Sequence, residues 1–298
     1  MHIFSADNTF FSVGMWAMGK LVVFTDLDAT LLDPDDYSWT AATEALATLK
    51  RVNAILSLVS SKTFAEMAPI HKALGIEDPF VTENGGSVVA REGSALADEL
   101  RRDEEFPKAV REGKWLIFPQ GTAYKDLVTA LSEIAEVLGC PLVGFNALSV
   151  REVARLTGLS EEEAQKAKDR QFDEPFLVTD DAWEREDQIR EAAAARGLAV
   201  VAGGRFWHLM GHGGKGSAVS RLIRASRRVF GEIVTVGLGD SPNDYPFLEI
   251  VDIPVVLRGA HKAASLPPSL ARGLFTKQSG PVGWNEAILR IVSGLDSE

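Results

Sequence analysis

The sequence predicts an α/β protein with a doubly wound core, a mainly parallel sheet and an inserted α+β module. Three observations favour this architecture. Short apolar segments rich in β-branched residues alternate with helical segments over residues 20–89. The same alternation returns after residue 211, whereas residues 90–210 follow a less regular pattern. We therefore assign residues 20–89 and 211–298 to a core domain and residues 90–210 to an inserted domain.

The composition narrows the possible functions. The chain has 298 residues and a formal net charge of −11, which argues against a general binder of nucleic acid or of anionic membranes. No apolar run is long enough to cross a bilayer. Cys140 is the only cysteine, so we expect a buried structural thiol and a reducing, cytoplasmic location. Residues 1–19 lack the basic start of a signal peptide and are expected to form a disordered extension. The sequence leaves the oligomeric state open.

The core elements follow from burial patterns and stop signals. Leu21–Phe24 is an apolar run typical of a strand buried on both faces. Thr40 is placed to cap the next helix, and Gly75 is placed to end the one after it. The other predicted core elements are strands over 54–59, 80–82, 233–236 and 253–256, and helices over 213–229 and 284–292.

The inserted domain has weaker signals. Residues 91–114 are highly charged and are predicted to form a solvated connection. Ser160 and Glu163 form a capping box for a helix that should reach about residue 171. The remaining predicted elements are strands over 115–119, 176–178, 198–201 and 205–210, and helices over 124–138 and 182–195.

Four carboxylates follow two of the buried strands. Asp26 and Asp28 end the first strand, and two residues at i and i+2 of a strand face the same side. Asp240 and Asp244 follow the strand over 233–236, and parallel strands end at one edge of a sheet. Four acids that meet would repel one another unless a cation such as Mg²⁺ lies between them. The alternative is that each pair of acids only forms a turn or a helix cap.

Two further residues suit phosphate binding. Ser60 ends another strand, where its hydroxyl and nearby backbone N–H groups could hold a phosphate oxygen, although a helix N-cap is the alternative. Lys215 begins a helix after two glycines and could neutralise phosphate charge, although a solvated lysine is the alternative. A Walker A loop is excluded, because Leu209 and Gly216 replace the residues that it requires.

Taken together, Thr25–Thr30, Ser60, Lys215 and Gly239–Asp244 resemble the haloacid dehalogenase (HAD) superfamily of phosphohydrolases. The resemblance implies a HAD-like core with a large cap formed by the inserted domain. It implies that Asp26 is the nucleophile that becomes an aspartyl-phosphate, and that Asp28 is the general acid and base. It also implies a Mg²⁺ cofactor held by Asp26, the backbone carbonyl of Asp28 and Asp240, with Asp244 in support. The phosphate-binding residues implied in this way are Ser60, Ser61, Lys215 and Asn243.

Within this superfamily, residues 60–63, 83–86, 170–174, 203–208 and 280–286 resemble the mannosyl-3-phosphoglycerate phosphatase family. The resemblance implies a small phosphorylated sugar–glycerate substrate, recognised by cations for the carboxylate and by acids for the hydroxyls. The candidate substrate-binding residues are Lys62, Glu83, Asn84, Gly85, Arg170, Asp173, Glu174, Arg205 and His208. Solvation at the surface is the alternative for the cap residues, and a core histidine is the alternative for His208.

Other functions stay open at this point. A broader Cof-type sugar phosphatase, a glucosyl-3-phosphoglycerate phosphatase or a phosphomutase would carry the same core motifs. A catalytically inactive binding module is disfavoured, because Asp26, Asp28, Lys215 and Asp240 are all intact. Ala29 stands where the superfamily usually has glycine. If that position needs a positive φ, alanine would cost about 1–2 kcal/mol there, and we expect the protein to tolerate it.

Overall fold

The computed structural model describes residues 19–104, 108–177, 183–202, 206–259 and 266–296. Residues 1–18, which make up nearly all of the predicted N-terminal extension, lie outside the described part. The strands are β1 (Lys20–Thr25), β2 (Ile55–Leu58), β3 (Phe80–Thr82), β4 (Ser87–Arg91), β5 (Val110–Glu112), β6 (Trp115–Pro119), β7 (Val143–Gly144), β8 (Asp173–Leu177), β9 (Leu198–Ala202), β10 (Phe206–Gly211), β11 (Ile233–Gly239), β12 (Ile253–Val256) and β13 (Leu274–Phe275).

The α-helices alternate with these strands along most of the chain. They are α1 (Thr43–Arg51), α2 (Phe64–Ala73), α3 (Ala95–Arg101), α4 (Tyr124–Leu138), α5 (Val150–Thr157), α6 (Glu161–Ala167), α7 (Glu186–Ala194), α8 (Gly214–Phe230), α9 (Tyr245–Leu248) and α10 (Gly280–Asp296). Thr63 caps α2 and forms a capping box with Glu66, whereas Thr40 begins a 3₁₀ turn before α1 and caps no α-helix. The Ser160–Glu163 capping box is present, and its helix ends at Ala167.

The core sheet has the strand order β13-β12-β11-β1-β2, and all its pairings are parallel. Successive side chains of β1 enter two different apolar clusters: Val23 packs in one, and Val22 and Phe24 in the other. A strand buried on both faces has this property, and it explains the unbroken apolar run in the sequence. The predicted doubly wound core is confirmed, and β1 is an interior strand of its sheet, between β11 and β2.

A second sheet, with the order β3-β4-β6-β5, is antiparallel and lies beside the core. Its residues belong to the same apolar clusters as β1: Ile117 packs in the cluster of Val23, and Phe118 in the cluster of Phe24. The prediction of a solvated connection over 91–114 was therefore wrong. This stretch contains α3, which buries Leu96 and Leu100 one helical turn apart. The domain boundary at residue 90 stays a prediction. Side chains of β4 and β6, on the far side of that boundary or across it, pack with the core side chains.

The third sheet, with the order β7-β8-β10-β9, is antiparallel and forms the cap-like region. Helices α4 and α7 contribute to its apolar cluster, in which Trp207 of β10 is fully buried. Cys140 is a buried free thiol in the same cluster, as predicted. In the part of the chain that the structure describes, no helix combines the length and the apolar character needed to cross a membrane.

Candidate active site

The first acid of the site, Asp26, directly follows strand β1. The register pairs Thr25 with Leu238 of β11, and the backbone N–H of Asp26 donates to the Leu238 carbonyl at 2.9 Å. Thr25 is fixed from behind, because Trp284 of α10 donates its indole N–H to the Thr25 hydroxyl at 2.9 Å. The Asp26 side chain therefore lies at the carboxyl edge of the sheet, where ligands bind in folds of this class.

Lys215 lies in the first turn of α8 and joins two acids. Its Nζ is 2.7 Å from Oδ1 of Asp26 and 2.6 Å from Oδ1 of Asp244, and all three residues are buried. Burial by itself would lower the pKa of Lys215, but the carboxylates of Asp244 and Asp26 outweigh this and raise it. The ammonium is therefore firmly charged. The alternative of a solvated lysine is excluded by its burial.

Asp26, Asp240 and Asp244 offer carboxylate oxygens that lie within 4.8 Å of one another. Burial raises the pKa of Asp26 well above its usual value, although Lys215 opposes the shift. The ammonium of Lys215 contacts two of these three acids, Asp26 and Asp244. An all-oxygen donor set of this kind fits Mg²⁺, whose preferred ligands are carboxylates, carbonyls and water. The residues present therefore suit the cofactor that the sequence predicts.

The loop after β11 orients Asp244. Oδ2 of Asp244 accepts from the backbone N–H groups of Asp240 and Ser241 at 3.1 Å each, and from the Ser241 hydroxyl at 3.1 Å. Its Oδ1 is occupied by Lys215, so both oxygens have protein partners. The Thr30 hydroxyl donates to Oδ1 of Asp240 at 3.3 Å. Protein donors thus hold both oxygens of Asp244, and its supporting role at a metal stays a prediction. Ser241, which was not predicted from the sequence, is one of these donors.

Asp28 faces a different partner from Asp26. Strand β1 ends at Thr25, so the rule that residues i and i+2 face one side does not extend to Asp28. Its carboxylate lies 2.8 Å from Nζ of Lys62 and is less buried than Asp26. The next residue, Ala29, has a φ of +57°. The negative charge of Asp28 still helps to raise the pKa of Asp26, so the two acids are close, and the expectation that they face one spot stays a prediction.

Ser60 and Ser61 follow β2 at the same edge of the sheet. The Ser60 side chain is fully buried, and its Oγ accepts from the backbone N–H of Lys62 at 3.2 Å. Ser60 is not the N-cap of α2, because Thr63 has that role. The Ser61 carbonyl accepts from Nη1 of Arg170 at 3.1 Å, which ties this loop to the cap.

Glu83, Asn84 and Gly85 form a buried turn after β3, and all three have positive φ values of 48°, 53° and 96°. Gly85 is required by space, because a Cβ there would lie 2.1 Å from the Gly214 carbonyl oxygen. The Glu83 carboxylate accepts from the backbone N–H groups of Gln171 and Phe172 of the cap at distances between 2.8 and 3.1 Å. Burial raises the pKa of Glu83 to about 7. These three residues thus hold the junction between core and cap.

Asp173 is the buried centre of the cap contacts. Its Oδ2 accepts from Arg170 Nη1 at 3.1 Å and from Asn84 Nδ2 at 3.0 Å, and its carboxylate lies 2.9–3.1 Å from His208 Nδ1. Burial would raise the pKa of Asp173, but His208, Arg170 and these hydrogen bonds outweigh it and lower the pKa. Asp173 is therefore ionised and surrounded by protein donors. Its contact with a sugar hydroxyl stays a prediction.

The other cap predictions have mixed outcomes. Oε1 of Glu174 accepts from the backbone N–H of Asn146 at 2.9 Å, within the cap itself. Arg205 lies outside the described residues. A cavity of about 260 Å³ lies between core and cap, lined by Asn84, Lys215 and Asn243 on one side and by Val201, Met210 and Arg190 on the other. Arg190 was not predicted to line this cavity, because in the sequence it is an ordinary charged residue within a helix.

Known proteins resemble this chain over nearly its whole length. Residues 23–112 match the family model described as haloacid dehalogenase-like hydrolase. A protein of Persephonella marina, named glucosyl-3-phosphoglycerate/mannosyl-3-phosphoglycerate phosphatase, is 36% identical over 281 residues, which are 93% of this chain and 98% of the relative. A protein of the same name from Methanococcoides burtonii is 36% identical over 273 residues, which are 92% and 97% of the two chains.

The structural comparison agrees on the fold. A crystal structure of a protein from Thermoplasma acidophilum superposes with a TM-score of 0.62 at 20% identity. The alignment covers 94% of this chain and 99% of the other. The relation therefore includes the core sheet and the cap-like region together.

Proposed function

The chain belongs to the haloacid dehalogenase-like hydrolases, and on that premise we propose that it is a Mg²⁺-dependent phosphatase of glycosyl-3-phosphoglycerates. The family predicted from the motifs is confirmed. The resemblance of the sequence motifs favours mannosyl-3-phosphoglycerate, and the relatives are named for both the glucosyl and the mannosyl compound. The products would be the glycosylglycerate and inorganic phosphate. A cytoplasmic location stays a prediction.

The single observation that carries this proposal is the cluster of Asp26, Lys215, Asp240 and Asp244 at the carboxyl edge of the core sheet. Asp26 is the acid of β1, and the attack of its carboxylate on phosphorus would break the ester bond and form an aspartyl-phosphate. Mg²⁺ held by Asp26, the Asp28 carbonyl and Asp240 would shield the attacking carboxylate from phosphate repulsion. Lys215 contributes a fixed positive charge at the same point.

Asp28 is placed for proton transfer. Its carboxylate is more exposed than that of Asp26, so it can reach a leaving alkoxide and later a water molecule. As a general acid it would protonate the alkoxide, and as a general base it would take a proton from the water that hydrolyses the aspartyl-phosphate. Lys62, 2.8 Å from Asp28, holds the carboxylate in place.

Substrate specificity would come from the cavity between core and cap. Lys215 and Asn243 mark its phosphate end, and Ser60 and Ser61 lie on the neighbouring loop. Arg190 supplies a cation on the cap side, beside the apolar surface of Val201 and Met210. A glycerate carboxylate needs such a cation, and it would bind Arg190 beside the Glu186 carboxylate, which already lies 2.7 Å from Arg190 Nη2.

Phosphate release by the purified protein tests the proposal. The substrates are mannosyl-3-phosphoglycerate, glucosyl-3-phosphoglycerate, 3-phosphoglycerate and glucose 6-phosphate, each with Mg²⁺ or with EDTA. We expect release only with Mg²⁺, and a kcat/KM for the glycosyl compounds at least ~100-fold above that for the others. Equal turnover of glucose 6-phosphate would contradict the substrate assignment. Formation of an isomeric phosphate ester without free phosphate would identify a phosphomutase instead.

A further inference from the structure

Asn84 lies where three functional segments meet. Its backbone N–H donates to the carbonyl of Ser60 at 3.0 Å. Its side-chain Nδ2 donates to Asp173 of the cap at 3.0 Å, and its Oδ1 accepts from Nδ2 of Asn243 at 3.4 Å. The residue is only 2% exposed. Asn84 thus contacts the Ser60 loop through its backbone N–H, and the cap and the loop of Asn243 through its side-chain amide.

The backbone at this point is held in an unusual conformation. Asn84 has φ +53° and follows Glu83 with φ +48°, so two residues other than glycine lie in the left-handed region in succession. Such a conformation costs about 1–2 kcal/mol for each residue, less for asparagine, and persists only where the surroundings enforce it. Here the enforcing contacts are the carbonyls of Lys62 and Ser60, which accept from the N–H groups of Glu83 and Asn84.

Asp173 of the cap determines which end of the Asn84 and Asn243 side-chain amides faces each neighbour. The ionised carboxylate of Asp173 can only accept hydrogen bonds, so Asn84 must present its NH₂ group there. Its carbonyl oxygen then faces Asn243, which must in turn donate through Nδ2. Oδ1 of Asn243 accepts from the hydroxyl of Ser241, which also contacts Asp244. The charge of Asp173 therefore orients a series of groups that ends beside Lys215.

Asp173 itself is held on the cap by Arg170 and His208, which belong to the same segment and to the neighbouring strand. The Asn84–Asp173 hydrogen bond crosses from core to cap, so it exists only while the cap is docked. Without it, nothing in this series would determine which end of the Asn84 amide faces Asn243. Two discrete amide orientations are the kind of element that can transmit a docking event.

We propose that Asn84 is a positioning residue that couples docking of the cap to alignment of the loop carrying Asn243 and Asp244. This inference rests on the proposed phosphatase function and extends it. Asn84 acts through its neighbours and not as a contact to the substrate, since both ends of its amide have protein partners. The consequence is that the phosphate site would be fully aligned only for substrates that keep the cap in place.

The test compares Asn84→Gly, Asn84→Asp and Asp173→Asn with the unchanged protein. Glycine keeps the left-handed backbone and removes the amide, whereas aspartate keeps the shape and places an acceptor against Asp173. Each enzyme is measured with mannosyl-3-phosphoglycerate, which spans the cap, and with acetyl phosphate, which is too small to do so. Asn53→Gly is the matched control, because Asn53 also has φ +53° and is exposed, just before the N-terminal end of β2.

We expect kcat for the glycosyl substrate to fall about tenfold more than kcat for acetyl phosphate in all three variants. The double variant Asn84→Gly/Asp173→Asn should lose no more kcat than the worse single variant, because both substitutions act on the same Asn84–Asp173 hydrogen bond. Equal losses on both substrates would show a merely structural role and overturn the inference. A raised KM with an unchanged kcat would show direct substrate binding and also overturn it. If the unchanged protein releases phosphate from neither substrate, the proposed function fails instead.

Discussion

The ammonium of Lys215 lies 2.7 Å from the carboxylate of Asp26, although the two residues are 189 positions apart in the sequence. The same ammonium contacts Asp244 at 2.6 Å. The contact joins the first turn of α8 to the end of β1 and brings together the two halves of the chain that flank the inserted domain. One lysine thus connects the proposed nucleophile to the loop after β11.

Replacing Lys215 by methionine should leave two buried carboxylates without their cation. Breaking a buried ion pair from one side typically costs about 3–5 kcal/mol, so we expect a loss of this size in the free energy of unfolding with EDTA present. Mg²⁺ should stabilise Lys215→Met more than the unchanged protein, since it would supply the missing positive charge. Urea unfolding with EDTA and with Mg²⁺ measures both effects.

The control is Lys72→Met, which changes an exposed lysine near the end of α2. That variant should stay within about 0.5 kcal/mol of the unchanged protein under both conditions. If Lys215→Met and Lys72→Met had equal stability with EDTA, the pairing of Lys215 with the buried acids would be refuted.

The metal site makes a separate prediction for Asp240. Asp240→Asn removes one charge from the three acids that lie within 4.8 Å of one another. We expect the Kd for Mg²⁺ to rise at least about tenfold, because affinity at oxygen-ligand sites follows the charge of the ligands. Isothermal titration with Mg²⁺ measures it without any substrate. Asp98→Asn, at an exposed position of α3, is the control, and equal Mg²⁺ binding by the two variants would rule out this metal site.

The central part of the site could be read from the sequence because it depends on local pattern. The buried run of β1 places Asp26 at the edge of a parallel sheet, and the run of β11 does the same for Asp240. The contact of Asp28 with Lys62 could not be predicted, because the i, i+2 rule holds only within a strand and β1 ends at Thr25. Ala29 follows Asp28 and has a φ of +57°, and the glycine that is usual at this position of the superfamily motif was the signal for it.

The cap contacts could not have been predicted in the same way. The partners of Asp173 include a residue 3 positions before it, one 35 positions after it and one 89 positions before it. Their pairing depends on how the cap sheet lies over the core, and no periodicity encodes that. Helix α3 was not predicted for a different reason. Its apolar pattern is short, because Leu96 and Leu100 lie among charged residues.

The junction residue Glu83 makes stability depend on pH. Burial raises its pKa from 4.5 to about 7. An acid whose pKa is raised on folding stabilises the native state below its ordinary pKa, and this contribution is lost as the pH rises through the raised value. We therefore expect the free energy of unfolding of the unchanged protein, minus that of Glu83→Gln, to fall between pH 4.5 and about 7.

The fall should be at most about 3.5 kcal/mol, which corresponds to the difference between the two pKa values. Urea unfolding of both proteins across this pH range gives the difference directly, independent of any constant effect of glutamine on the Gln171 and Phe172 contacts. A difference that stays constant with pH would contradict a raised pKa of the buried Glu83 at this junction.

Ala29 gives the sharpest test of the backbone at the catalytic turn. Its φ of +57° lies in the left-handed region, where a Cβ costs about 1–2 kcal/mol. Ala29→Gly removes this cost from the folded state. Glycine also has more conformational freedom in the unfolded chain, which offsets about 0.4–1 kcal/mol of the stabilisation. We expect a net stabilisation of up to about 1 kcal/mol, measured by urea unfolding. Ala47→Gly, at an exposed position within α1, should instead destabilise by about 1 kcal/mol, because its backbone is helical. Opposite signs for the same chemical change can arise only from the two backbone conformations, so a loss of stability in both variants would show that Ala29 is not strained.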